Sequence, residues 1–399
     1  MADTTIKKEL WERIPQDNKD AEVISRPSMT YWQDAWRRLK RNKISMLGLA
    51  FIVFMVLFAL VGPTLAGHDY STQDLTLSNI PPRFEIYQID ADTFVYVHSE
   101  YKLIDVLEDG TLIGRIKEVQ NNLNDKNRVY DIDGNEVFLD YKYAAIKDSS
   151  EADAGIKFKL FVNGTEVQPY KTVWNKGHLF GTDNMGRDVL ARVMYGARIS
   201  LSIALIATLV NFFIGVLYGG ISGYIGGRIG NTMMRIVDII TAIPLMLYVI
   251  LLTVIIGTGF KSIVIALGSV YWVNMARIVR GQVLSLKEQE FVLAAKTLGA
   301  KTSRIMLRHL IPNVMGPIIV SMTMMIPSAI FTEAFLSFIG LGVNPPMASW
   351  GTLANDALSG IRTYPYQLFF PSLAISLTML AFNFFSDGLQ NALDPKMRK

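Results

Sequence analysis

Apolar residues gather into long runs near the two ends of the chain, and a polar stretch, residues 67–197, separates them. The first run, Ser45–Ala66, follows a polar leader, residues 1–44, that closes on Arg37, Arg38, Lys40, Arg41 and Lys43. About 22 residues reach roughly 33 Å as a helix, enough to cross a hydrocarbon core. A cleaved signal peptide fits less well, because its apolar region runs only about 7–15 residues. From Arg198 the chain is apolar almost to its end, and the runs predict helices near 198–224, 234–257, 262–282, 314–338 and 368–388. With the first run, 45–66, the count is six spans, five of them in a core over 198–388 that is followed by a short tail, 389–399.

The middle stretch reads differently. Short alternating runs are joined by hairpin signals: Tyr101–Leu107 and Thr111–Val119 flank Asp109-Gly110, Asn127–Ile132 and Asn135–Tyr143 flank Asp133-Gly134, and Ile156–Val162 and Thr165–Tyr170 flank Asn163-Gly164. Type I′ turns need two residues at positive φ, which Asn-Gly and Asp-Gly supply. Residues 75–177 are therefore expected to form a β-rich, water-soluble subdomain with a core of its own.

Composition agrees with a membrane protein: 50% of residues are hydrophobic and 19% charged, against about 25% charged in soluble domains. The absence of cysteine excludes disulfides, thiolate metal sites and cysteine nucleophiles. A net charge of +4 is too small to argue for nucleic acid; membrane lipid is the expected environment. The charges are unevenly placed. Residues 67–197 carry 21 acidic and 14 basic residues, net −7. Of the 14 basic residues from position 228 on, 12 fall in 225–235, 277–308 and the tail, which are cytoplasmic if the N-terminus is inside. The positive-inside rule thus predicts a multi-pass protein of the cell membrane, with both termini cytoplasmic and the β subdomain extracytoplasmic.

Candidate chemistry concentrates in the cytoplasmic segment 283–312, between the fourth and fifth predicted spans. Val292, Ala295, Leu298 and Gly299 fall on one helical face, with Glu290 and Lys296 elsewhere. Gly299 suits a left-handed helix cap. Thr302 or Ser303 can open the next helix, and Pro312 marks its end or a kink. Such a short apolar-striped helix serves either as a plug for a partner's groove or as an interfacial helix resting on lipid headgroups. The residues alone leave both open.

Ala294-Ala295, Gly299 and Ile311-Pro312 together resemble the EAA motif of ABC importer permeases. Leu293 stands in place of the motif's Glu and His309 where Ile is common, and the peptide-permease branch looks similar at both. Trp36-Arg-Arg-Leu-Lys-Arg-Asn-Lys43, Gly181-Thr-Asp-Asn-Met-Gly-Arg-Asp188, Tyr195-Gly-Ala-Arg-Ile-Ser200, Phe335-Leu-Ser-Phe-Ile-Gly-Leu-Gly-Val-Asn-Pro-Pro346 and Ser349-Trp350-Gly351 resemble the "C"-type dipeptide, oligopeptide and nickel permeases. The resemblance covers residues 29–66 and 178–399; the β-rich region looks like an insertion.

The resemblance implies an all-α polytopic membrane protein of the type I ABC importer fold, with six transmembrane helices and an inserted extracytoplasmic β-rich subdomain. It implies a second homologous permease sharing the path, two ABC ATPases that hold ATP and Mg, and an extracytoplasmic peptide-binding protein. Coupling to the ATPases would run through Glu290, Leu293, Ala294, Ala295, Gly299, Ile311 and Pro312. A bulky residue at Ala295 is expected to uncouple transport while leaving the protein in the membrane. The chain itself is expected to be a transport subunit for oligopeptides and not an enzyme, with no catalytic residue, cofactor or metal. A nickel or dipeptide permease of the same architecture is the near alternative. A membrane-anchored ligand sensor is the alternative from another class, although a sensor needs only one or two spans.

Other features carry narrower expectations. Gly181-x4-Gly186 imitates a phosphate loop, but Arg187-Asp188 stand where Lys-Ser/Thr is required, and these two are expected to pair locally. Gly215, Gly219, Gly223 and Gly227 recur every four residues and predict a groove for close helix packing. Asp238 lies three residues after Arg235 and is expected to pair with it. Glu333, near the outer end of the fifth helix, is a candidate for the mouth, where it reads a peptide amine or pairs locally. Asn274 is a candidate for the path or, with Arg277, an interfacial anchor. Pro244 and Pro327 are expected to kink their helices. His68, His98, His178 and His309 show no metal-ligand spacing.

Overall fold

A computed structural model describes residues 30–145 and 157–394. The leader before residue 30, the hairpin residue Ile156 and the basic tail 395–399 lie outside the described residues. Among the described residues, five helices are long and apolar enough to cross a membrane: α2 (Lys43–Leu60), α3 (Val189–Ile225), α6 (Phe260–Leu286), α8 (Thr302–Leu341) and α10 (Tyr366–Leu393). The predicted third span is instead two helices, α4 (Gly227–Ala242) and α5 (Leu245–Ile256), bent by 84°. Pro244 stands at that break as the residue capping α5. A proline ring fixes φ and removes a donor, so the chain turns there. Pro327, by contrast, lies inside α8, which runs on past it.

The N-terminal flank is also helical. In α1 (Tyr31–Arg41) Thr30 and Gln33 form a reciprocal capping box, and Arg38, Lys40 and Arg41 occupy the last turn, where cations suit the helix dipole. Helix α3 starts nine residues earlier than the apolar run suggests. The reason is Asp188, whose side chain accepts from Leu190 N at 2.9 Å and caps the helix.

The polar stretch folds into two five-stranded antiparallel sheets. One runs β10 (Lys171–Trp174), β1 (Arg83–Gln88), β2 (Phe94–Val97), β3 (Leu103–Val106), β4 (Leu112–Arg115). The other runs in chain order through β5 (Gln120–Asn122), β6 (Asn127–Ile132), β7 (Asn135–Asp140), β8 (Lys159–Val162) and β9 (Thr165–Val167). Strand alternation places Val95, Val97 and Leu103 against Tyr130, Val137, Leu139 and Leu160 of the second sheet. Phe84, Phe94, Tyr96 and Ile104 line the opposite face of the first sheet, packed on Ile80. Asp133-Gly134 and Asn163-Gly164 both have positive φ at the two positions, as a type I′ turn requires. Asp109-Gly110 does not: only Gly110 is positive, and the loop closes as Gly110 N to Leu107 O and Leu107 N to Thr111 O. That is a three-residue connection with glycine in the left-handed position.

Candidate functional site

The segment with the most chemistry in the sequence folds into α7 (Glu290–Thr297), a short helix between α6 and α8. Gly299 has φ 76°, Ala300 N reaches Ala295 O, and Gly299 N reaches Lys296 O. These are the two bonds of a Schellman cap, which satisfies orphan carbonyls and stops the helix. The face assignment differs from the sequence expectation. Val292 and Ala295 point inward, packed with Val279, Val283, Ile305 and Leu310, so Ala295 is part of the chain's own core. Phe291, Ala294 and Leu298, spaced i, i+3 and i+7, form the outward apolar stripe, with Leu298 87% exposed and Leu293 beside it. Glu290 is exposed at the start of the helix, and Lys296 lies over the Tyr224 ring at 5.5 Å, fastening α7 to the end of α3.

Ile311 packs partly into the same cluster, and Pro312 neither ends nor visibly breaks α8. The turn before it, Ile305–Leu310, is π-helical, with Ile311 N bonding Met306 O. The wider turn absorbs the proline ring, which clashes with a carbonyl in a regular α-helix.

Three of the four spaced glycines form a groove that receives α6 of the same chain. A Cβ on Gly215 would stand 2.5 Å from Met275 Cβ, on Gly219 2.3 Å from Ala276 O, and on Gly223 3.0 Å from Arg280 O. Gly227 does not belong to the groove. It lies beyond the end of α3 at φ 53° with nothing within 4 Å, serving the turn into α4. Asp238 pairs with Arg277 across helices at 2.9 Å, not with Arg235. Residues three apart on one helix lost to a partner that approaches from α6, and Arg277 also reaches Thr241. Asn274 is exposed on α6.

At the other end of the bundle sits a second constellation. Glu333 is fully buried, not at the surface of a mouth. Ser200 Oγ donates to its Oε2 at 2.8 Å and Ser337 Oγ to its Oε1 at 2.7 Å, while Ser349 Oγ bonds Ser337 Oγ and Trp350 N bonds Ser200 Oγ. The node joins α3, α8 and α9 (Trp350–Asp356). The loop before α3 makes another. Asp183 Oδ2 accepts from Arg187 Nε at 2.7 Å and Arg192 Nη1 at 2.5 Å, and Arg192 also reaches Asp356 at 3.2 Å. Arg187 therefore pairs with Asp183, not Asp188, because Asp188 is turned to the helix N-terminus. Burial pushes the Asp188 carboxyl up to about 6. Burial and the neighbouring His68 hold the His178 imidazole down, to about 4. Gly186 is obligatory here, since a Cβ would meet Asp74 O at 1.7 Å. Arg187, Arg192, Asp356, Asn344 and Asn355 line a cavity of about 540 Å³.

With this geometry in place, comparison with known proteins is decisive. The model for binding-protein-dependent transport system inner membrane components matches residues 215–399, and that for the N-terminal TM domain of oligopeptide transport permease C matches residues 30–82. The dipeptide transport system permease protein DppC of Bacillus subtilis is 42% identical over 391 residues, covering 98% of this chain and 93% of its own. The chain belongs to the DppC/OppC family of ABC permeases. The oligopeptide transport system permease protein OppC of Bacillus subtilis is 39% identical and is covered over 99% of both chains. OppC of Escherichia coli is 48% identical over 222 residues, 56% of this chain and 74% of its own. This permease is thus a membrane transport subunit with the type I importer fold, and the nickel and sensor alternatives are not favoured.

Sequence reasoning allowed Glu333 a local partner and gave Arg187 the wrong one; it missed the serines, Arg192 and Asp356, and the inward face of α7. Ser200, Ser337 and Ser349 all lie in the quoted motifs, and their hydroxyls were a signal for a buried acceptor such as Glu333.

Proposed function

We propose that this permease forms half of a path for short peptides across the cell membrane, alongside a second homologous permease. Two ATPases that hold ATP and Mg sit beneath, and an extracytoplasmic binding protein delivers the cargo. In this reading the bent α4–α5 pair completes six spans, α7 and both termini are cytoplasmic, and the two sheets stand outside. Helix α7 docks in an ATPase groove. The observation that carries the reading is the outward stripe Phe291, Ala294 and Leu298 on a helix otherwise fastened to its own bundle. Exposed apolar stripes mark protein or membrane contacts, and we assign this one to the ATPase groove.

The test is Ala294→Trp in the assembled transporter reconstituted in vesicles, with peptide uptake and ATP hydrolysis measured together. Uptake should fall at least about tenfold, equal to roughly 1.4 kcal/mol of lost coupling, with the melting temperature of the permease unchanged. Normal uptake by the variant would refute the docking assignment.

The β insertion is aligned with both Bacillus subtilis relatives, which match over nearly the whole chain. We assign it to seating the binding protein over the outer mouth.

A further inference from the structure

We propose that His68, His178 and Asp188 form a binding site for a divalent first-row transition ion, with Zn²⁺ the fitting case, at the base of the β-rich insertion. No spacing in the sequence shows it, since 110 residues separate the two histidines. The fold brings them together. One ligand atom from each of the three residues lies within 4.8 Å of the others. Two ligand atoms on one tetrahedral ion, each about 2.0–2.2 Å from it, stand about 3.3–3.6 Å apart. Closing the set therefore asks for a movement of at most about 1.5 Å, which the exposed His68 side chain can supply.

Three further observations point to a ligand and not to packing alone. His178 is 9% exposed, and its Nδ1 is buried without a hydrogen-bond partner. A buried polar atom without a partner is costly, and each such case calls for an explanation. His68 Nε2 lies 2.8 Å from Gly177 O. A carbonyl only accepts, so Nε2 carries the proton and Nδ1 keeps its lone pair. Metal-binding imidazoles are commonly oriented by this bond to a backbone carbonyl. Asp188 is 4% exposed and forms no ion pair among the described residues, since Arg187 and Arg192 are both taken by Asp183. Its cap bond to Leu190 N uses Oδ1 alone. Two imidazoles and one carboxylate, with room left for water or a further donor, suit Zn²⁺ and its first-row neighbours, and not Mg²⁺ or Ca²⁺.

The site's place suggests what an ion would do. His68 follows α2, while His178 and Asp188 lead into α3. An ion would fasten the two chain ends from which the insertion rises, and with them the outer ends of two spans. This inference does not rest on the transport reading.

The experiment uses the purified full chain in detergent micelles, stripped with a chelator. Zn²⁺ is titrated in competition with a chromophoric chelator, and Co²⁺ loading is followed by its visible absorption. The wild type should take up one equivalent. His68→Ala, at an exposed position, and Asp188→Asn, which retains a capping oxygen, should each weaken uptake at least about tenfold. His309→Ala should bind as the wild type does. Failure of the wild type to bind one equivalent, or undiminished binding by His68→Ala, would overturn the proposal. Zn²⁺ should also raise the melting temperature of the wild type and leave that of His68→Ala unmoved.

Discussion

Replacing Gly219 by alanine tests the helix contact on which the α7 end of the bundle depends. The added Cβ would stand 2.3 Å from Ala276 O and 2.9 Å from Ala276 Cα, whereas ordinary contacts begin at 3.4 Å. Both obstructing atoms are backbone, so no side-chain rotation relieves the clash, and α3 must retreat from α6 by about 1 Å. Overpacking of this kind costs about 1–3 kcal/mol. The better helix propensity of alanine returns only about 0.5–1 kcal/mol. The clash therefore outweighs the gain, by up to about 2.5 kcal/mol. Gly281→Ala is the internal control: it lies in α6 with nothing within 4 Å of its Cβ position and should keep the propensity gain. The two variants share the propensity gain, so they should differ by the clash itself, about 1–3 kcal/mol. At roughly 2–4 °C per kcal/mol, thermal unfolding of the full chain in detergent will separate them by several degrees. If Gly219→Ala melts with Gly281→Ala or above it, the close approach of α3 and α6 is wrong.

Ala295→Trp, unlike Ala294→Trp, should lower the melting temperature before it affects coupling, since Ala295 is packed inward; equal melting of the two variants would contradict the face assignment. Asp183→Asn takes from two buried guanidinium groups the carboxylate they share, leaving only Asp356 beside them, and should cost about 3–5 kcal/mol, read as a loss of thermal stability that added salt does not reproduce in the wild type. His98 in the β region has its imidazole held below the ordinary range, chiefly by burial. Its neutral form is the folded form, so the stability it contributes is present above about pH 6.5 and is lost as pH falls toward the folded value. The melting temperature of His98→Gln should accordingly drop less than that of the wild type between neutral and mildly acid pH; parallel profiles would exclude the role. Replacing 83–174 by a short turn is sterically simple because Arg83 pairs with Trp174. Uptake by the assembled transporter should then need more peptide for half-saturation, and an unchanged value would remove the insertion from substrate delivery.

Much of the membrane part was legible because each span announces itself by length and apolarity, which are local properties. Helix α3 shows the limit: its start at Val189 was set by the cap at Asp188, and the apolar run alone placed it at 198. The third span was read as one helix kinked at Pro244; the proline marked the place of the break, and only the backbone shows that it separates two helices by 84°. The face of α7 was harder still. Val292 and Ala295 share the face that turns inward, while Leu298, at the cap, joins Phe291 and Ala294 outside; which face turns in depends on where α6 and α8 stand, and spacing within eight residues carries no trace of that. Asp238 illustrates the same point in charge: Arg235 was the nearest cation in sequence, and Arg277 was the nearest in space. Hairpin chemistry read best where both turn residues tolerate positive φ, as at Asn163-Gly164, and failed at Asp109-Gly110, where a longer loop needs only one.

The arrangement of contacts along α3 ties these observations to the proposed transport cycle. At one end its glycines let the backbone of α6 approach within reach of direct contact, and α6 leads into α7. Gly220, one residue on, faces Met306 of the π-turn in α8. Toward the other end Arg192 and Ser200 of the same helix engage Asp183, Asp356 and Glu333 beside the cavity. Packed backbones and buried, paired polar groups yield little to a load, so a displacement of α7 that shifts α6 must carry α3 with it or break the glycine contact. If α7 is the docking helix, α3 is thus the element that reports its position to the cavity. Gly219→Ala and Ser200→Ala then fail in different ways: the first loosens the drive at its source, and the second leaves the bundle closed at α7 but removes the α3 hydroxyl from Glu333, which Ser337 of its own helix still holds. Measuring ATP hydrolysis and uptake together for the two variants separates them, since only the first should lower peptide-stimulated hydrolysis in proportion to uptake.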